Sequence, residues 1–188
     1  AYWWSEDVYF KGDFLQDEVG FTFKYPDTED LNDSIISNIK NFILDFEYAL
    51  KNKDDVSKYI DMHNWAAWLL AQDILGQKDS GGTNRYIYKK EYDEANPYST
   101  QLKMGPLWDF DGSLMRDNTW GGIHNVEYSF YYTELLKRTD FYELYVFLWD
   151  SIKVTLLDEL AQYYETLIRT KGEWINKSRI LNKEIYSY

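Results

Sequence analysis

Two short segments hold most of the side chains that could do chemistry. Residues 105 to 114, GPLWDFDGSL, place Asp109 and Asp111 two positions apart behind an apolar run, with Gly112 following. Residues 78 to 84, KDSGGTN, place Asp79 and Asn84 at D-x-x-x-x-N spacing among small residues. Carboxylates with an amide oxygen nearby are hard donors that suit Mg²⁺ or Mn²⁺, the cations that neutralise phosphate charge in phosphoryl transfer. The D-x-D pair also suits a different chemistry, in which the first aspartate attacks phosphate itself. A third account needs no ligand, because Asp, Asn and Gly are common turn residues whose side chains satisfy local amides.

The elements around these segments decide between the three. Residues 1–25 read as short strands, with alternation around DVYF and VGFTFKY, and YPD turns the chain at Pro26. A helix follows over EDLNDSIISNIKNFILDFEYALKN, with Ile39, Phe42, Ile43, Phe46 and Leu50 in a 3.6-residue rhythm and Asp33 or Ser34 as its cap. The next helix starts near Met62, capped by Asp61, turns Trp65, Trp68, Leu69 and Ile74 inward, and stops at Gly76. The segment GQKDSGGTNR then leads into the strand YIYKK, and QLKMGPLWDF returns as its partner, a β-hairpin ending at the aspartates. Residues 113–126 read as an irregular loop. From Tyr128 onward the pattern is helical, one long amphipathic face from Phe141 to Leu167 and a weaker last helix from about Gly172. The fold class is α+β, mainly helical with a small sheet.

Composition excludes several functions. With 188 residues, 45% hydrophobic and 28% charged, the chain can bury a core and is one domain or one lobe of a larger protein. A net charge of −12 repels phosphate backbones and argues against nucleic-acid binding. No cysteine is present, which removes disulfide, zinc–thiolate and thiol-nucleophile chemistry, and His63 and His124 are too few for a histidine-rich metal site. No run of apolar residues is long enough to span a membrane. Aromatic residues make up 19% of the chain, with 8 Trp and 18 Tyr, enough both to fill a helical core and to line a binding surface.

The attacking-aspartate reading resembles the nucleophile loop of haloacid dehalogenase-type phosphatases, but its context is missing. Such a site sits after the first strand of a parallel sheet and needs further strands carrying Ser/Thr, Lys and more carboxylates. After Asp111 no second apolar strand is visible, and Lys137, Lys153 and Lys171 fall in helical patterns. The metal-binding reading has its context. Helix, Asp/Asn loop, hairpin, metal-binding aspartate and then helices is the order of parts in a kinase C-terminal lobe. The details differ from ordinary protein kinases: Gln77-Lys78 precede Asp79 in place of H-R, the hairpin is longer, and no A-P-E follows.

Taken together, YIDMHNWAAWLLAQDILGQKDS, NRYIYKK and LKMGPLWDFDGSL, with GFTFKYPD upstream, resemble the spore coat protein H (CotH) kinase family, from about Gly20 to Leu114 and more loosely through the helical tail. The resemblance implies an atypical kinase fold that binds ATP with Mg²⁺ or Mn²⁺ and phosphorylates protein hydroxyls, on members often exported or placed on the cell or spore surface. Carried onto this sequence, Asp79 matches the catalytic aspartate and Asp109 the metal-binding one. Asp111 is a second candidate ligand, and Asn84 a metal- or loop-positioning residue. Asp73 matches an acidic position bracing the loop, and Trp108 is expected to pack beneath the aspartates. Asn64, Trp120 and His124 could border the cleft but are assigned structural roles. The chain reads as a single C-terminal lobe over 1–188, with 1–25 the remnant of a preceding N-terminal lobe and 128–188 the helical tail. Lys11 and Lys24 lie outside any V-A-I-K-like strand and no Gly-rich phosphate loop is visible, so this segment alone is expected not to catalyse. The competing expectation, from the aromatic content and acidity, is a non-catalytic surface or coat module that binds a protein or glycan.

Overall fold

The computed structural model describes residues 9–12, 20–76, 85–90, 93, 95–110 and 130–186. They are mainly helical with two small antiparallel sheets, the α+β organisation expected. Two compact units divide the chain, Ala1–Val146 and Phe147–Tyr188.

The first unit begins with strands β1 (Tyr9–Lys11) and β2 (Gly20–Thr22), paired antiparallel with Phe10 opposite Phe21. Helix α1 (Asp33–Lys51) follows a single 3₁₀ turn, Thr28–Asp30. Its cap is Asn32, whose Oδ1 accepts from the Ile35 amide at 3.0 Å, so the helix starts one residue ahead of the expected Asp33 or Ser34 cap. The apolar rhythm buries Phe42, Ile43, Phe46, Ala49 and Leu50. Glu47 is buried on the same helix. It is satisfied by the Tyr131 hydroxyl, which donates to its Oε1, and it packs so closely on Gly12 that a Cβ there would displace the carboxylate.

Helix α2 (Met62–Leu75) starts and stops where its residue types demand. Asp61 Oδ1 accepts from the Asn64 amide at 2.9 Å, and Gly76 ends the helix in the left-handed region at φ 59°. Trp65, Trp68 and Leu69 are buried and Ile74 half-buried. Strands β3 (Ile87–Lys89) and β4 (Leu102–Met104) form the hairpin, with Ile87 opposite Met104 and Lys89 opposite Leu102. The returning strand stops at Met104 rather than at the aspartates. Pro106 has no amide to give a ladder and Gly105 stands at φ 151°, so the chain leaves the sheet well before Asp109.

Helix α3 (Tyr132–Leu135) and the start of α4 (Thr139–Tyr186) close the core. Trp65 lies at its centre, with the rings of Phe46, Phe130 and Tyr132 at 5.8, 5.9 and 5.7 Å. Aromatic pairs at such distances add about 0.5–1.5 kcal/mol each beyond the area they bury. The second unit is the remainder of α4. Gly172 does not begin a separate helix, because one interior glycine costs only about 1 kcal/mol against alanine and the ladder runs through it. Of this long helix, Phe141 alone is buried among the described residues.

Candidate functional site

The candidate chemistry hangs from two stems, and the described residues show how each is held. The first stem is α2. At its N-terminal end the chain just before the helix runs beside β4 in a parallel bridge, Ile60 to Leu102. The Leu102 amide donates to Tyr59 O at 2.8 Å, and Leu102 O accepts from the Asp61 amide at 3.0 Å. Two side chains of the first helical turn complete the joint. Trp65 Nε1 donates to Leu102 O at 3.0 Å, and Asn64 Oδ1 accepts from the Met104 amide at 2.6 Å. Asp61 adds an ion pair with Lys103 at 3.0 Å. Burial works to raise the Asp61 carboxyl pKa, but the Asn64 amide and the Lys103 ammonium outweigh it and hold the group below the usual carboxylate value.

At the other end of α2, Gly76 ends the helix in the left-handed region. Asp73 in the last turn accepts from the Tyr145 hydroxyl at 2.5 Å, tying this end of the helix to the start of α4. Asp79 and Asn84 lie outside the described residues, as do Asp111, Trp120 and His124.

The chain returns at Arg85, a residue that motif spacing did not single out. Its guanidinium sits over the Phe130 ring at 4.6 Å and the Trp68 ring at 5.9 Å. Burial lowers its pKa to about 10, which leaves it cationic at neutral pH. The available signal was its place, a basic residue directly after Asn84 and ahead of the strand YIYKK. Lys89, in contrast, turns away to the far end of the hairpin, where its ammonium donates to Thr100 O and Oγ1 and covers the Phe42 ring at 4.8 Å.

The second stem is the stretch from Gly105 to Phe110. The Gly105 amide donates to Tyr86 O at 3.2 Å, and the Trp108 ring meets the Tyr86 ring edge-on at 5.7 Å. Trp108 is 46% exposed, so it flanks the segment and does not lie buried beneath the aspartates as expected. Asp109 itself is exposed and adopts φ 61°, the left-handed region that non-glycine residues seldom enter and that Asp tolerates better than most. Among the described residues no three His, Cys, Asp or Glu side chains converge as a metal cluster.

Between the stems opens a groove of about 550 Å³, with Asn64, Ala67 and Trp68 on one wall and Tyr88, Met104 and Leu107 on the other. Its lining is mostly apolar. The Trp68 indole nitrogen, buried on the α2 wall, has no hydrogen-bond partner among the described residues. No helix among the described residues is long and apolar enough to cross a membrane.

Comparison with known proteins completes the picture. Neither the curated proteins nor the solved structures contain a match to the chain. The family model described as CotH kinase protein matches residues 5–179, spanning both stems, the hairpin between them and most of α4. The chain therefore belongs to the CotH kinase protein family.

Proposed function

We propose that this chain carries the metal-binding side of an ATP-dependent kinase site that phosphorylates protein hydroxyls. The observation that carries the reading is the contact between the stems: Tyr86, two residues after Asn84, meets Trp108, the residue before Asp109. That contact favours the exit of the 77–84 segment and the approach to Asp109 opening toward the same region. Asp109 and Asp111, with Asn84, would hold Mg²⁺ or Mn²⁺, because carboxylate and amide oxygens are the hard donors these ions take. The bound ion would supply charge neutralisation between phosphates. Asp79 would orient the acceptor hydroxyl and take its proton. Arg85 would hold a fixed positive charge at the exit of the loop, opposing the crowding of carboxylates there. The family's association with spore coats supports a place on the cell or spore surface.

The test is γ-phosphate transfer by the full-length protein, wild type against Asp79→Ala and Asp109→Asn. Both variants are expected to lose at least about a hundredfold in rate, the usual effect of removing a positioned catalytic or charge-stabilising group. Equal transfer by all three sinks the assignment. Metal binding is checked separately. Carboxylates that repel one another without a cation gain stability with one, so millimolar Mg²⁺ or Mn²⁺ raises the melting temperature of wild type but not of Asp109→Asn.

A second reading, a module that binds a protein or glycan without catalysis, is favoured by the exposed Tyr88, Leu107 and Trp108 around the groove. In that case Trp108→Ala abolishes partner binding while Asp79→Ala leaves it untouched.

A further inference from the structure

The described residues of the second unit form one helix, and within that unit no other described element takes its apolar side chains. It carries many of them at a regular spacing. Phe147, Val154, Ala161, Ile168 and Ile175 recur every seven residues. Leu160, Leu167, Trp174 and Leu181 form a second seven-residue series about 100° round the helix, with Leu157, Tyr164 and Ile185 between the two, so that together they make one apolar face. Phe147 is 65% exposed, and Ile168 and Trp174 are each 70% exposed. A straight helix drifts by about 20° per heptad relative to a strict seven-residue stripe, so the stripe stays in register only against another helix that wraps with it. The spacing asks for a helical partner.

Charge selects which helix. The first half, 147–165, holds Asp150, Asp158, Glu159 and Glu165 against Lys153 alone. The second half, 166–186, holds Arg169, Lys171, Lys177, Arg179 and Lys183 against Glu173 and Glu184. Ion pairs already closed within the helix, Lys153–Asp150 and Lys177–Glu173 at 2.7 Å each, remove one pair from each half and leave the imbalance standing. A second copy laid antiparallel sets acid against base along the whole length, whereas a parallel copy sets like on like. Acids and bases balance over residues 147–188, so the chain's net charge of −12 falls within 1–146. Each first unit is joined to the N-terminal end of its own helix.

We infer that the helix from Phe147 to Tyr186 is a self-association surface that pairs antiparallel with the same helix of a second copy of this chain. The pairing is two-fold and isologous, so the same stripe serves both partners.

Sedimentation equilibrium of the full chain is expected to show a monomer–dimer equilibrium that tightens at low salt. The variant Lys171→Glu, Arg179→Glu, Lys183→Glu should weaken its dimer by at least about tenfold, as should Asp158→Lys, Glu159→Lys, Glu165→Lys. A mixture of the two variants should recover a dimer, which distinguishes lost pairing from lost folding. Orientation is read by cross-linking, which the cysteine-free chain makes clean. Asp158→Cys and Arg179→Cys lie 21 residues apart, about 30 Å along the helix. Antiparallel pairing cross-links the two variants with each other and neither with itself. A chain that stays monomeric at every concentration, charge reversals without effect, or cross-links of each variant to itself would each overturn the inference.

Discussion

The two ends of α2 are built by different rules. At the N-terminal end, backbone and side chains make several bonds to one short strand: Tyr59, Asp61, Asn64, Trp65 and Lys103 all bear on Leu102 to Met104 or on their neighbours. At the C-terminal end a left-handed glycine ends the helix, and among the described residues an Asp73–Tyr145 hydrogen bond ties the last turn to α4. The end bolted to β4 carries none of the candidate aspartates, and the other end leads into the segment that holds Asp79. A scaffold can hold a reactive loop in this way because the loop's position is inherited from the rigid end of the element that feeds it.

Substitutions at the two ends should therefore differ in size. The largest effect is expected at the bolted end. Trp65→Ala removes the centre of the aromatic core and the donor to Leu102 O, and should cost about 3–5 kcal/mol in chemical denaturation. A loss below about 1 kcal/mol would mean that α2 is held elsewhere. At the other end, Gly76→Ala places a Cβ on a left-handed residue with no described atom within 4 Å of it. The cost is the backbone term alone, about 1–2 kcal/mol, and kinase or metal-binding readouts should change more than the melting temperature does. The smallest effect is at Asp61. Its carboxyl pKa is depressed when folded, so its contribution is complete above about pH 4 and is lost as pH falls through the lowered value. Asp61→Asn keeps a capping oxygen and should cost less than about 1 kcal/mol at neutral pH, with a flatter acid limb in a pH–stability profile. An unchanged acid limb would show that the Lys103 pair and the cap contribute nothing measurable.

Local chemistry made the bolted helix legible and non-local contacts hid the rest. Asp61, the apolar face of α2 and Gly76 announce start, body and stop within one stretch of sequence, and the structure agrees at each. The cap of α1 was ambiguous because Asn32, Asp33 and Ser34 can all do the work, and only the backbone shows that Asn32 does it. The end of β4 was readable in principle from Pro106, but the apolar run through Leu107 and Trp108 looked like more strand. Burial of Glu47 depends on Tyr131, 84 residues away, and no local pattern carries that information. The seven-residue series in α4 shares Leu160 and Leu167 with the amphipathic face from Phe141 to Leu167, so local spacing does not separate the two. Of the candidate site, residue types and order were legible. The left-handed turn at Asp109 and the Arg85 guanidinium between two rings follow from packing that spacing does not encode.

The bridge between Ile60 and Leu102 also has a kinetic meaning. It closes a ring of backbone that begins before α2, passes through the whole 77–84 segment and the hairpin, and ends beside its own start. Closing a ring of this length costs chain entropy that no local helix formation returns, so closure belongs with the slow, late part of folding. In pulse-labelling hydrogen exchange, the amides of Asp61, Leu102 and Met104 should gain protection in one phase, after the body of α1. The candidate site would then come into being in a single event, because the ring that shapes it has no half-closed form.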